Sequence, residues 1–360
     1  MEKRDLCELN MQELEALMKE WGQPKFRAGQ IYAWLHRQTV ESFDEMKNIP
    51  KDLNRRLEEA FRITVMNAEE VLISAIDGTR KYVFALWDGN VIEAVLMKYH
   101  HGNSVCISSQ VGCRMGCRFC ASTLDGCVRN LSAAEMLAEV YRIGRDCGER
   151  ISNVVIMGSG EPMDNYEEVV RFLKMITDAD GLNISARNIT LSTCGIVPGI
   201  LKLAEEGLPV TLALSLHAPS QKKREEIMPI AKKYELGEVL AACRQYYRKT
   251  GRRISFEYSV VKGVNDSPEE AKALSELLGG FAKGHRGGRE GAFHVNLIPV
   301  NPIEERNYES PDPAALNRFR AVLENHGINV TVRREMGRDI HSACGQLRRR
   351  YSRHAGTGTD

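Results

Sequence analysis

Four of the ten cysteines in this 360-residue chain fall between Cys106 and Cys120, and three of those four share one run, CRMGCRFC. Cys113, Cys117 and Cys120 are separated there by three and then two residues. Thiolates grouped so tightly in a loop can take three corners of an iron–sulfur cubane or join a zinc site. Zinc requires a fourth ligand, and the nearby Cys127 stands beyond a six-residue gap that zinc ribbons and fingers seldom use. A cubane held by three thiolates keeps one iron open to a small molecule. The spacing therefore favours a 4Fe–4S cluster with a vacant coordination position.

Other residue groups suit a ligand placed beside such a cluster. Gly158-Ser159-Gly160-Glu161-Pro162 follows an extended run at Val154–Met157, and Glu161 could pair with a cationic ammonium there. By itself the run reads equally well as a tight connection. Ser192 in LSTCG, Ser215 and His217 in SLHAP, and Asn301 in NLIPVNP each end an expected strand. Singly each is a cap or turn residue; together they lie on one predicted face and suit a ligand lying across a barrel mouth. Cys106 precedes the cluster run by seven residues, and Cys344 sits in HSACGQL. A lone cysteine is more often a small buried hydrophobe than a nucleophile. The polar, glycine-flanked setting of Cys344 argues against packing, whereas Cys7, Cys147 and Cys243 read as structural.

The elements that position these residues are legible from periodicity. Residues 1–62 read as helical, with Leu14, Leu17 and Met18, then Ile31, Trp34 and Leu35, at helical spacing. Residues 63–103 read as an antiparallel meander turning at Asp77-Gly78 and Asp88-Gly89. Across 104–335, extended runs alternate with helices, one opened by the capping box Ser132–Glu135. Expected strands at 154–157, 189–191, 210–214, 254–260 and 295–298 alternate with helices, including one from Leu236 that stops at Gly251. An extended run at 329–333 follows a last helix near 314–325. Alternation over this length predicts an α/β fold of parallel strands and crossover helices, in a barrel or an open sheet. Its chemistry belongs at the carboxyl ends of the strands. Residues 336–360 form a C-terminal segment carrying Cys344.

Bulk properties exclude some classes. Hydrophobic residues at 43% and charged residues at 27% describe an ordinary globular protein. No apolar run approaches the roughly 18–20 residues that a bilayer span requires, and the charged start MEKRDLCELN offers no secretory segment. A cytoplasmic location without membrane association is expected. A net charge of +1 announces no global polycation. The basic runs Lys222-Lys223-Arg224, Arg252-Arg253 and Arg348-Arg349-Arg350 with Arg353 read equally well as solvated faces or as contacts.

Taken together, these motifs resemble the RlmN/Cfr family of radical S-adenosylmethionine (SAM) RNA adenosine methyltransferases. The likeness runs from about residue 10 to about residue 350. It rests on VCISSQVGCRMGCRFCAS, RNLS, GSGEP, LSTCGIVP, LSLHAP, the GVND turn, NLIPVNP and ACGQL. The family commonly has Met where Ser159 stands, Ser or Val where Cys194 stands, and a bulkier apolar residue at Cys127. The resemblance implies a radical SAM partial (βα)6 barrel with an N-terminal helical accessory domain and a small antiparallel β extension. It implies a 4Fe–4S cluster on Cys113, Cys117 and Cys120, and SAM bound by Gly160, Glu161, Ser192, Ser215, Leu216, His217 and Asn301.

The chemistry implied by the resemblance uses two SAM molecules. One methylates Cys344; the other yields a 5′-deoxyadenosyl radical that takes hydrogen from the S-methyl group. The resulting carbon radical adds to the adenine, Glu93 removes the ring proton, and Cys106 attacks Cys344 to release product and leave a disulfide. The implied product is C2-methyladenosine in 23S rRNA and beside the tRNA anticodon, with a reducing system such as flavodoxin and a monomeric enzyme. The base must be single-stranded or flipped out, and Lys25, Arg27, Trp34, His36 and Arg37 form an expected RNA platform. Two rivals remain: a C8-methylating relative conferring antibiotic resistance, and a non-enzymatic RNA-binding protein with a structural metal site.

Overall fold

A computed structural model of the protein describes residues 3–283, 293–303 and 305–340; Cys344 and the third basic run lie outside the described residues. Among the described residues, ten strands form one sheet. Seven of them run parallel: Gly102–Ile107, Ile151–Ile156, Ile189–Thr193, Thr211–Ser215, Ile254–Val260, Phe293–Pro299 and Val330–Val332. Sequential strands are neighbours throughout the parallel part, as crossover helices require. Among the described residues the sheet is bounded by Val330–Val332 on one side and Asn67–Ile73 on the other.

The meander strands Asn67–Ile73, Arg80–Ala85 and Val91–Tyr99 do not form a sheet of their own. Val91–Tyr99 pairs antiparallel with Gly102–Ile107, which in turn pairs parallel with Ile151–Ile156. This register puts Val95, Cys106 and Val155 in one row across the sheet. Gly78 (φ +71°) and Gly89 (φ +77°) supply the left-handed residues that the two Asp-Gly turns demand.

The helix Ala133–Cys147 opens with the expected capping box: Ser132 Oγ accepts from Glu135 N–H while the Glu135 carboxylate accepts from Ser132 N–H. Gly148 and Gly251, in left-handed conformation, end the helices Ala133–Cys147 and Leu236–Thr250. Two features escape periodicity because they are short. The helix Gln221–Ile227 spans only seven residues, and a two-stranded ribbon, Gln110–Gly112 with Cys127–Asn130, brackets the cysteine loop.

The N-terminal region is mostly helical: Met11–Glu20, Phe26–His36 and Lys51–Ala60. A parallel pair of two-residue strands, Arg4–Asp5 and Phe61–Arg62, draws its ends together. Its placement corrects part of the RNA platform. His36 is fully buried, hydrogen-bonded to Tyr141 of the Ala133–Cys147 helix at 2.8 Å and packed on Tyr32 at 4.4 Å between centroids. Arg37 donates to Ala179 O and pairs with Asp180. His36 docks the helical region onto the Ala133–Cys147 helix and is no exposed base-stacking group, whereas Arg37 ties the same junction while staying exposed. Arg171 adds a bidentate pair to Glu13 at 2.8 and 3.0 Å across the same junction. Lys25 stays exposed beside Glu15, and Arg27 lies over the exposed Phe26 ring. Trp34 donates to Asn48.

Burial holds His36 neutral, lowering it from 6.5 to about 3. The unfolded chain therefore binds the proton more readily, so stability present above 6.5 is lost as pH falls toward 3. The native protein should lose about 2 kcal/mol from this group between about pH 8 and about pH 5. In His36→Asn, which keeps a hydrogen-bonding atom near Tyr141 but cannot titrate, that portion of the pH dependence should vanish in paired thermal melts.

Candidate active site

The parallel strands end on one edge of the sheet, and a cavity of about 610 Å³ opens there. Its volume suits a single small-molecule ligand. Of the residues singled out from the sequence, Cys106, Cys120, Ser192, Ser215, His217 and Asn301 line its walls. Strand alternation explains the set: Ser192 and Ser215 come from the carboxyl ends of adjacent strands, and Cys106 faces in with Val95 and Met97.

Cys113 and Cys117 lie in an apolar pocket with Met115, Cys194, Ala218, Ile227 and Met228, against which Phe119 and Cys120 pack. Burial first, then the neighbouring Cys120, Glu161 and Cys127, push the Cys113 thiol up to about 12 against a backbone hydrogen bond from Met115. Cys117 is raised too, again by burial first and then by Cys120 and Cys113. All three cysteines of the run border this one apolar pocket. The donor set fits a cubane: three soft thiolate sources in one dry loop, with cationic iron to stabilise their charged form.

Glu161 sits in the adjoining loop, buried, with both oxygens aimed at backbone. One accepts from Met163 N–H at 3.0 Å and the other from Cys194 N–H at 2.7 Å. Its own N–H donates to Gln110 Oε1 at 2.9 Å. Burial raises this carboxyl above its ordinary value despite those hydrogen bonds. A cation arriving in this pocket would offset that cost. Gly160 makes the loop's close approach feasible. A Cβ there would fall 2.7 Å from Gln110 Cβ, Gln110 N and Ser109 Oγ, at φ +108°. The departures from the family pattern cluster here as well: Ser159 N–H donates to Ser108 Oγ, and Cys194 supplies the N–H held by Glu161.

His217 adopts φ +58°, a strained value for a side-chain-bearing residue. The turn is held by its N–H to Glu257 O and by Asn265, which donates to His217 O at 2.8 Å. Its Nδ1 accepts from Ser259 N–H at 2.8 Å, which leaves Nε2 as the protonated nitrogen. Burial, then Arg224, lowers this imidazole to about 3, so it remains a neutral donor at physiological pH. Phe119, just before the third cysteine of the run, meets the ring edge-on at 4.6 Å.

Two expected residues stand elsewhere. Leu216 does not line the cavity: its side chain is in the hydrophobic core, its N–H donates to Glu257 O, and its C=O accepts from Ala218 N–H. Glu93 is not a wall residue either. It is buried on the Val91–Tyr99 strand, one step along the face of Val95, and pairs with fully buried Lys81 at 3.1 Å. Sequence reading passed over Glu257, a cavity wall residue raised by burial and hydrogen-bonded by Ser255 and Asn296. The signal was available: a glutamate inside the strand ISFEYSV is costly unless it has polar partners.

The chain is similar to known proteins along nearly its whole length. Residues 107–274 match the family model "Radical SAM superfamily", and residues 4–63 match "Ribosomal RNA large subunit methyltransferase N-terminal domain". The chain is 58% identical over 351 residues to a Lachnoclostridium phytofermentans protein named "Probable dual-specificity RNA methyltransferase RlmN". That alignment covers 98% of this chain and 96% of the relative. A Lachnospira eligens protein of the same name is 55% identical over 96% of each chain. The crystal structure of a radical SAM methyltransferase from Sphaerobacter thermophilus superposes with a TM-score of 0.88 at 41% identity, covering 95% of this chain and 98% of that one.

Glu161→Gln should cost stability as well as SAM affinity. An amide nitrogen cannot accept from Met163 or Cys194 N–H, and one stranded donor costs about 1–3 kcal/mol. Thermal unfolding of the cluster-free protein and SAM titration of the loaded protein measure the two effects separately; an unchanged melt would remove Glu161 from its bridging role. With a 4Fe–4S cluster held by three cysteines and SAM as its cofactors, the chain is an enzyme and belongs to the RlmN family of radical SAM RNA methyltransferases.

Proposed function

We propose that this enzyme methylates C2 of an adenosine in 23S rRNA and of the adenosine beside the tRNA anticodon. The observation that carries the reading is the buried Cys106 thiol in the wall of the same cavity that Cys120 lines. A second cysteine so placed has no part in holding a cluster, and a resolving thiol is the role it suits. The large-subunit rRNA name of the matched N-terminal family model and the dual-specificity names of the relatives support both substrates.

In this reading Cys113, Cys117 and Cys120 hold the cluster. Glu161 and the Gly160 backbone receive the methionine ammonium of SAM, while Ser192, Ser215, His217 and Asn301 receive its remainder. Leu216 takes part only through the turn it shapes. Cluster and SAM together supply one-electron cleavage chemistry, needed because adenine C2 is not nucleophilic. Cys344 accepts a methyl group at its sulfur by displacement, which requires its thiolate. Glu93 accepts the ring proton after the methyl carbon has bonded to C2, and Lys81 orients its carboxylate. Once the adduct's unpaired electron has passed to the redox centre, Cys106 attacks the Cys344 sulfur and breaks its bond to the methylene carbon, which takes a proton to become the product's methyl group while the two sulfurs remain as a disulfide. The RNA contacts Lys25 and Arg27 beside Phe26, and a flavodoxin-type donor supplies electrons to a cytoplasmic monomer. No helix among the described residues is long and apolar enough to cross a membrane.

Anaerobic assay on ribosomal RNA lacking the mark, with nucleoside mass spectrometry, should yield 2-methyladenosine; the 8-methyl isomer would assign the enzyme to the other branch. Cys106→Ala should retain methyl transfer to Cys344 and addition to the base, yet stall before release. Protein covalently linked to RNA should then accumulate on a denaturing gel after nuclease treatment. Normal methylation without the linked species would overturn the two-cysteine scheme.

A further inference from the structure

Arg224 belongs to a basic run that reads equally well as a solvated face or as contacts, yet its side chain is fully buried. It projects from the short helix Gln221–Ile227, whose end is tied to the cysteine loop. Arg118 N–H donates to Ile227 O at 2.9 Å, and Ile227 and Met228 pack in the apolar pocket of Cys113 and Cys117. One guanidinium nitrogen, Nη2, donates to Cys194 O at 2.6 Å and to Ser215 O at 3.3 Å. Nε and Nη1 have no hydrogen-bond partner among the described residues. Nor does any described carboxylate form an ion pair with it. Burial opposes its charge, and the thiols of Cys194, Cys117 and Cys243 favour it.

A buried guanidinium satisfied only by carbonyls on one side costs several kcal/mol unless an anion faces it. The group that supplies the anion is chemically evident. Three thiolates on a cubane core give a net negative assembly, and reduction adds one more negative charge. We propose that Arg224 is the fixed counter-cation of the iron–sulfur cluster, a positioning residue that favours the reduced state and holds the Cys194 peptide. The same residue donates its N–H to Glu161 while its C=O accepts from Arg224, so Cys194 joins the ammonium-binding carboxylate to the cluster's counter-charge. The inference rests on Cys113, Cys117 and Cys120 as cluster ligands. Neither Lys222 nor Lys223 can substitute: Lys223 is committed to Val264 O and Glu270, and Lys222 is exposed.

The test is a reductive titration of reconstituted full-length protein without SAM, using dithionite-poised mediators and followed by electron paramagnetic resonance. Arg224→Met should make cluster reduction at least tenfold less favourable, a shift of about 59 mV to lower potential for a one-electron couple. Arg224→Lys, which keeps the charge, should recover most of the shift. A potential unchanged in the Met variant, with iron and sulfide content normal, overturns the proposal and leaves Arg224 a structural tie. Should Arg224→Met fail to fold, Arg224→Gln retains a donor for Cys194 O and carries the same expectation. If Met, Gln and Lys variants all lose the cluster equally, charge is not the determinant and the proposal fails. If only the neutral pair loses it, the proposal stands. Wild-type protein lacking a 4Fe–4S signal would instead bring down the ligand assignment before Arg224 is in question.

Discussion

A carboxylate buried as deeply as Glu161 must be solvated by the protein itself, and here two backbone amides do so together with the side chains of Thr193 and Cys194. Met163 N–H closes the loop after one strand, and Cys194 N–H reaches across from the loop after the next. Gln110 adds a third tie by accepting from Glu161 N–H while donating to Asn130 and Asp164. Asp164 in turn holds Arg114, inside the cysteine run, through two hydrogen bonds at 2.6 and 2.8 Å. Three successive strand ends and the cysteine loop are thus one hydrogen-bonded assembly. The arrangement has a physical requirement: every polar group it buries must stay paired, since each failure costs about 1–3 kcal/mol. Gly160 is part of that requirement, because any side chain there would separate Glu161 from Gln110.

Much of this was legible in the sequence, and the reason is that it was local. Cysteine spacing, the Ser132–Glu135 capping box, and the Asp-Gly turns are decided within a few residues of chain, where stereochemistry alone is specific. Strand ends were legible because alternation of β and α leaves little choice of topology. What was not legible is burial decided across the fold. His36 reads as a polar residue beside Arg37, and only docking against Tyr141 makes it an interior group. Arg224 reads as the third member of a cationic run, and only the packing of Gln221–Ile227 on the cysteine loop turns it inward. Leu216 sits between two residues that line the cavity, but the turn at His217 sends its side chain to the core.

The meander has a second use that follows from its turn chemistry. Asp77 accepts from Gly337 N–H at 2.9 Å, and Ser74 Oγ donates to Asp339 at 2.6 Å. Ala75 N–H also donates to the Asp339 carboxylate. These bonds hold both carboxyls below the ordinary aspartate range, to about 2 for Asp77. The hairpin turn therefore clasps the segment that leaves the last parallel strand, and Met336 within it packs with Cys106, Val95 and Met97. Those last two residues belong to the strand bearing Glu93. A single antiparallel edge thus carries the buried Lys81–Glu93 pair, packs around Cys106, and fixes the segment eight residues before Cys344. An open barrel leaves its first strand exposed on one side. Here that edge is covered by antiparallel strands that carry the buried Lys81–Glu93 pair and supply Val95 and Met97 to the cavity wall, so covering the edge also builds part of the cavity.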